Sequence, residues 1–237
     1  MKGEIEKKIF SISPFTISLL TFHYSPFTIH YSLNMKIGLY FGTFNPIHVG
    51  HLIIANHMAE HADLDQVWMV VTPHNPLKKK NTLLDDYHRL QMVHLATEDF
   101  PKIKPSDIEF KLSQPNYTVN TLVHLQEKYP SYEFSLIMGE DNLKSLHKWK
   151  NYEAILTHHE IYVYPRLDAK GQTTESIASE IPNLELKNHP KIHMIDAPVV
   201  EISATFIRNN IKKGKNVQPL LPNKVWEYID HNNFYRK

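Results

Sequence analysis

The chain has 237 residues, with 26 lysines and arginines, 25 aspartates and glutamates, and no cysteine. At about 150 residues per domain, this length fits one large α/β domain or two small ones, and it needs no disulfide or metal for stability. The lack of cysteine excludes thiolate nucleophiles and cysteine-bound metals, and it fits a reducing, cytoplasmic location. A net charge of +1 gives no general attraction to nucleic acid or membranes, so an anionic ligand must be bound locally.

The first 34 residues differ in composition from the rest of the chain. Residues 9–34 contain no Asp, Glu, Lys or Arg, and the sequence Ser-Pro-Phe-Thr-Ile occurs twice, at residues 13–17 and 25–29. Polar residues and prolines interrupt the segment, which excludes a membrane span, and no small-residue cleavage site indicates a signal peptide. We therefore predict a disordered or artefactual extension over residues 1–34 and a single domain over residues 35–237.

Beyond the extension, short apolar runs alternate with stretches of helical periodicity. We predict strands at residues 36–41, 67–71, 134–138, 161–164 and 191–195. We predict helices at residues 48–61, 83–98, 118–127, 203–213 and 222–232, with a further helix and loops in 168–190. Because strand and helix alternate without a dividing linker, the expected fold is α/β, with a doubly wound, mostly parallel sheet and helices on both faces.

The turn between the first predicted strand and helix is rich in glycine. Gly38, Gly42 and Gly50, three of the seven glycines in the chain, fall inside thirteen residues around it. In a parallel sheet this turn borders the ligand crevice, and the N–H groups at the helix start favour a phosphate. His48 and His51 share one face of the first helical turn and project toward the crevice. Such a pair alone is more often a surface feature, but the glycine-rich loop favours a phosphate site.

Two motifs resemble signatures of a known superfamily. Residues 42–51 (GTFNPIHVGH) are similar to the G-[TS]-F-[DN]-P-x-H-x-G-H signature of the nucleotidyltransferases with the HxGH motif. Residues 202–208 (ISATFIR) match a second signature, I-S-x-T-x-I-R. The resemblance implies a Rossmann-like nucleotidyltransferase fold. The dinucleotide-binding pattern G-x-G-x-x-G is absent, which argues against an NAD-dependent dehydrogenase.

Four more segments resemble those of the bacterial nicotinate mononucleotide adenylyltransferases, and they are residues 72–78, 116–122, 139–141 and 149–150. The similarity extends from residue 36 to about residue 235. It departs from the usual pattern at Asn45, where many members have Asp, and at Asn116, where Ser is usual. The resemblance implies transfer of the adenylyl group of ATP to nicotinate mononucleotide, which yields nicotinate adenine dinucleotide and pyrophosphate in NAD biosynthesis.

The resemblance also implies roles for individual residues. The implied catalytic residues are His48, His51 and Arg208. The implied ATP-binding residues are Gly42, Thr43, Phe44, His48, His51, Lys78, Ile202, Ser203, Thr205 and Arg208. The implied nicotinate mononucleotide-binding residues are Asn45, Tyr117, Thr118, Gly139, Asp141, Trp149 and Lys150. A phosphate monoester is already anionic near neutrality, so the reaction needs no general base, and we expect Mg²⁺ to be held by phosphate oxygens and water rather than by a protein site.

Several alternatives stay open at this point. The acceptor could be nicotinamide mononucleotide or phosphopantetheine, and a non-catalytic nucleotide sensor would keep the same fold. Individual residues also have structural explanations: Ser203, Thr205 and Asp141 can cap helices, and Trp149 can belong to the core. We expect ATP and nicotinate mononucleotide as partners, with no nucleic acid or membrane partner, and a homo-oligomer is left open.

The boundary after residue 34 yields a first prediction. A chain that begins at Met35 should match the full chain in melting temperature and kcat/KM, because the periodic pattern starts at residue 36. Thermal unfolding and steady-state kinetics of the two chains test this. A substantial fall in either quantity would make the extension a structural element.

Overall fold

The computed structural model of the chain describes residues 34–73, 83–166 and 184–236. Three sequence predictions lie wholly or mostly outside these ranges: the extension at residues 1–34, the ATP-binding role of Lys78, and most of the helix and loops at 168–190. They stay predictions.

Six parallel strands form one sheet in the order β3-β2-β1-β4-β5-β6. The strands are β1 (Met35–Gly42), β2 (Gln66–Val71), β3 (Ile103–Ser106), β4 (Tyr132–Gly139), β5 (Ile161–Tyr164) and β6 (Ile192–Met194). The strand order reverses between β1 and β4, and ligands of such sheets bind at the carboxyl ends beside this reversal. The predicted doubly wound parallel sheet is confirmed.

Helices connect the strands and flank the sheet. They are α1 (Val49–His61), α2 (Asp86–Thr97), α3 (Thr118–Lys128), α4 (Glu140–Leu143), α5 (Tyr152–His158), α6 (Leu184–Lys187), α7 (Ala204–Lys212) and α8 (Asn223–His231). Ser203 caps α7 as predicted, since its side chain accepts a hydrogen bond from the Phe206 N–H at 3.1 Å. Within the described ranges, no helix is both long and apolar enough to cross a membrane.

Side chains of β1 alternate between two cores, one on each face of the sheet. Tyr40 packs in the core that α1, α2, α7 and α8 cover. Ile37 and Leu39 pack in the opposite core, under α3 and α5. This alternation follows from the two-residue period of a strand. Helices therefore cover both faces of the sheet, and a ligand can reach the strands only at their ends, between the two helical layers.

The sequence reading missed the edge strand β3 and the short helices α4 and α5. Pro105 lies inside β3 and pairs in register with Met69 of β2. Proline has no N–H to donate, so it is tolerated on an edge strand but weakens the sequence signal for any strand. The ten predicted strands and helices with definite bounds are all observed, with ends within three residues of the prediction.

Candidate active site

A cavity of about 490 Å³ lies at the carboxyl ends of β1, β4 and β5. Its walls come from the β1–α1 loop, the residues after β4 and β5, and the start of α7. Most residues implicated by the two signature motifs line it, and they are Gly42, Thr43, Phe44, Asn45, His48, His51, Ile202, Ser203, Thr205 and Arg208. The structure therefore brings together two motifs that are about 150 residues apart in the chain.

The two histidines stack on each other at the start of α1. Their ring centroids are 3.7 Å apart, and the His48 N–H donates to His51 Nδ1 at 3.2 Å. His48 is only 5% exposed, and its Nδ1 has no hydrogen-bond partner among the described residues. A Cβ on Gly50 would approach Val200 to 3.0 Å and His48 Nδ1 to 3.1 Å. Glycine at this position therefore lets the His48 ring lie against the helix.

The His48 ring is neutral at neutral pH. Burial, together with the nearby positive charge of Arg166, lowers the pKa of His48 to about 4. A neutral imidazole carries one N–H donor, and His48 is one of the residues that line the cavity. The ring can therefore donate a hydrogen bond to an anion without first gaining a proton.

Arg208 connects α7 to the loop that precedes α1. Its guanidinium donates to the Asn45 carbonyl oxygen at 2.7 Å and to Thr205 Oγ1 at 3.2 Å. Thr205 lies on the preceding turn of the same helix, so it steadies the arginine against its own helix. The positive charge of Arg208 consequently lies at the cavity wall contributed by the loop.

An ion pair lies on the other side of the cavity, beyond the ends of β4 and β5. Arg166 Nη1 is 3.1 Å from Asp141 Oδ2, and both side chains are about half exposed. A Cβ on Gly139 would lie 2.5 Å from Asp141 Oδ1, so the missing side chain makes room for this carboxylate. Among the described residues that line the cavity, Asp141 is the single carboxylate, against Arg166, Arg208 and two histidines. The cavity therefore favours an anionic ligand.

Comparison with known proteins agrees with this geometry. The cytidylyltransferase-like family matches residues 39–210 of the chain. A protein of Flavobacterium johnsoniae named probable nicotinate-nucleotide adenylyltransferase is 77% identical over 203 residues, which cover 86% of this chain and all of the relative. A Bacteroides fragilis protein of the same name is 42% identical, over 82% of this chain and 90% of its own length.

This chain belongs to the nicotinate-nucleotide adenylyltransferase family. The same fold occurs in a solved structure, the Plasmodium falciparum nicotinic acid mononucleotide adenylyltransferase complexed with NaAD. Its TM-score is 0.68 at 21% identity, over 85% of this chain and 98% of the other. At that identity the likeness shows the fold alone.

The residues to which the family resemblance assigns acceptor binding are divided between two places. Asn45 and Asp141 line the cavity, whereas Gly139 lies next to it, two residues before Asp141. The remaining four, Tyr117, Thr118, Trp149 and Lys150, are not among the lining residues. Two of them nevertheless meet, because Lys150 Nζ lies 4.7 Å from the centre of the Tyr117 ring. Trp149 packs against the core beneath α3 and α5.

The sequence analysis did not identify two arginines that the structure places in or next to the site. Arg166 follows the predicted strand 161–164, and the rule that ligands bind at carboxyl ends of strands could have found it. Arg89 is fully buried in α2. Its position is three, four and seven residues from Met92, Val93 and Ala96, all of them buried, so helical periodicity already indicated its burial. No signal in the sequence indicated what Arg89 contacts.

The low pKa of His48 predicts a pH dependence of stability. The unfolded chain binds a proton on this histidine near pH 6.5, whereas the folded chain does so near pH 4. Full stabilisation is therefore present above pH 6.5, and roughly 3 kcal/mol is lost as the pH falls to 4. Denaturant unfolding across this range tests the prediction. The His48→Asn variant should lose less stability over the same interval, and equal losses in both proteins would contradict it.

Proposed function

We propose that this protein transfers the adenylyl group of ATP to nicotinate mononucleotide, which releases pyrophosphate and forms nicotinate adenine dinucleotide. The observation that carries the proposal is the stacked pair of His48 and His51 at the start of α1, facing a cavity with two arginines and one carboxylate. The names of the relatives support the same reaction. The Plasmodium falciparum structure supports it too, since that protein was solved with NaAD.

The chemistry requires an in-line displacement at phosphorus. A phosphate oxygen of the mononucleotide forms a bond to the α-phosphorus of ATP as the bond from that phosphorus to the pyrophosphate oxygen breaks. The attacking phosphate is already anionic, so no proton has to be removed from it. The protein's part is to position the two anions and to stabilise the charge that develops between them.

His48, His51 and Arg208 have the chemistry for that part. The start of α1 borders the cavity, and the N–H groups and positive dipole end of a helix N-terminus favour an anion. Neutral His48 adds an N–H donor, and Arg208 adds a permanent positive charge. We propose that these groups hold the phosphates of ATP and the departing pyrophosphate, with Thr43, Phe44, Ser203 and Thr205 around them.

Mg²⁺ is proposed to enter as part of the ATP substrate. In the described ranges no three His, Asp or Glu side chains converge, and Asp141 already pairs with Arg166. Magnesium is commonly bound through substrate phosphates and water with few protein carboxylates, and this donor set fits that mode. Bound there, the ion would neutralise charge on the triphosphate.

The proposed acceptor site combines the start of α3 with Lys150. Thr118 is the first residue of α3, where free N–H groups favour an anion. The Lys150 ammonium group lies beside Tyr117, the residue before Thr118. Hydrogen-bond donors and a positive charge at this position favour the carboxylate of the nicotinate ring over the amide of the nicotinamide ring, whose NH₂ would face another donor.

His51 supplies the direct test of the transfer step. The His51→Ala variant should lose about 100- to 1,000-fold in kcat, the usual effect of removing one preorganised transition-state donor. Pyrophosphate release with ATP, Mg²⁺ and nicotinate mononucleotide measures it. The matched control is His61→Ala, because His61 stacks on His57 at 4.4 Å further along α1, outside the cavity.

The control variant should retain wild-type kcat. If His51→Ala also stays within a few-fold of wild type, the histidine pair has no part in transfer. A nucleotide-binding sensor would be the better account of the cavity only if the wild-type protein itself released no pyrophosphate in this assay.

Acceptor choice tests the substrate assignment. Wild-type protein should prefer nicotinate mononucleotide to nicotinamide mononucleotide by about 30- to 1,000-fold in kcat/KM, which corresponds to roughly 2–4 kcal/mol for a mismatched donor pair. Lys150→Gln should narrow this ratio. Lys128→Gln is the matched control, because Lys128 also lies over a tyrosine ring, 5.2 Å from the centre of Tyr129.

Equal rates with the acid and the amide would contradict the proposed acceptor site while leaving adenylyl transfer intact. A preference for phosphopantetheine would replace the acceptor altogether. An equal effect of the two lysine variants on the ratio would show that Lys150 does not act at the acceptor.

A further inference from the structure

The end of the chain reaches the loop that carries the histidines. The Tyr235 hydroxyl donates to Asn45 Oδ1 at 2.8 Å, across 190 positions of sequence. Asn45 is 2% exposed and Tyr235 is partly buried, so this hydrogen bond is largely shielded from solvent. No motif of the sequence covers Tyr235, and the proposed chemistry does not use it.

The final residues are held in a defined conformation. The Phe234 N–H donates to the Ile229 carbonyl of α8 at 3.1 Å, and the Phe234 ring lies 4.8 Å from His88 of α2. Asn233 and Tyr235 have φ angles of 55° and 63°, in the left-handed region. These two residues turn the chain back on itself, so that the phenol of Tyr235 points into the molecule.

Asn45 receives hydrogen bonds from three separate parts of the protein. Its side-chain oxygen accepts from Tyr235 and from the Leu84 N–H at 3.3 Å. Its backbone carbonyl accepts from Arg208 at 2.7 Å. The position of Asn45 therefore depends on Tyr235, and the guanidinium of Arg208 depends in turn on the position of Asn45.

The Tyr235 hydroxyl stays a donor at working pH. Burial raises the pKa of Tyr235 well above its usual value, and the charges of Arg208 and Arg89 offset only part of that effect. The phenol is therefore neutral, and its one proton is directed to Asn45.

We propose that Tyr235 is a positioning residue for adenylyl transfer, because it holds Asn45 and thereby sets the loop before His48 and the guanidinium of Arg208. This inference rests on the proposed function for its chemistry, but it does not depend on which acceptor is used. Through Asn45 the phenol acts on the loop before His48 and on Arg208, so its loss lowers transfer whichever acceptor phosphate the protein uses. A displacement of about 1 Å at reacting groups can cost on the order of 100-fold in rate.

The test is the Tyr235→Phe variant of the full chain, which removes one oxygen and leaves the ring. Its kcat should fall about 10- to 100-fold. KM for the acceptor should change by a smaller factor than kcat, because Tyr235 reaches the acceptor only through Asn45, whereas it acts on the transfer groups through the loop before His48 and through Arg208. Tyr87→Phe is the matched control, since the Tyr87 ring is 73% exposed, and it should keep wild-type kcat. Melting temperatures of both variants separate a loss of positioning from a loss of folding.

A double-mutant cycle with Asn45→Ala tests whether Tyr235 acts through Asn45. If Tyr235 acts through Asn45, Tyr235→Phe should cause no further fall in kcat in the Asn45→Ala background. Independent, multiplying effects would overturn the inference, as would an unchanged kcat in Tyr235→Phe alone. If Asn45→Ala does not fold, the comparison of Tyr235→Phe with Tyr87→Phe decides by itself.

Failure of this inference differs from failure of the proposed function. Wild-type protein assayed in parallel with nicotinate mononucleotide reports on the function. The ratio of variant to wild-type kcat, taken with whichever acceptor phosphate the wild type uses, reports on Tyr235.

Discussion

A fully buried guanidinium holds together the parts of the fold that build the cavity. Arg89 donates to the carbonyl of Thr43, to those of Thr72 and Leu84 at 3.0 Å each, and to the side chain of Asp86. Removing a charge from water is costly unless its hydrogen bonds are replaced, so these carbonyls must stay where the arginine needs them. The β1–α1 loop, the end of β2 and the start of α2 are therefore tied to one another.

The histidine loop is held from two further directions. Arg208 approaches Asn45 from α7, and Tyr235 approaches it from the end of the chain. Phe44 adopts a φ of 43°, which is uncommon for a residue with a side chain and persists only where the surroundings determine it. A reaction that depends on positioning needs a rigid loop, and these contacts supply rigidity without placing a general base in the cavity.

The charges of the cavity suit two phosphorylated substrates. His48 contributes a donor without a positive charge, because burial keeps it neutral. Arg208 and Arg166 contribute permanent positive charges to the cavity wall, and Asp141 partly compensates the charge of Arg166.

Local sequence patterns were sufficient to predict most of the architecture and about half of the residues of the candidate site. Strand and helix periodicity predicted the doubly wound sheet, because burial of one face imposes a period that the sequence displays. The resemblance to the nucleotidyltransferase signatures implied that His48, His51 and Arg208 act at one site, and the structure places all three along the cavity wall. The sequence analysis did not predict the edge strand β3, because Pro105 weakens the local sequence signal for a strand.

By itself, then, the sequence determined the fold class, the glycine-rich turn before α1 and the family resemblance, all of which depend on residues close together in the chain. The tertiary structure alone decided that Arg166 pairs with Asp141 and that Tyr235 reaches Asn45. It also decided that Arg89 binds the carbonyls of three separate segments. These contacts join residues brought together by crossovers and packing, and a single sequence carries no local signal for the partner of a distant side chain.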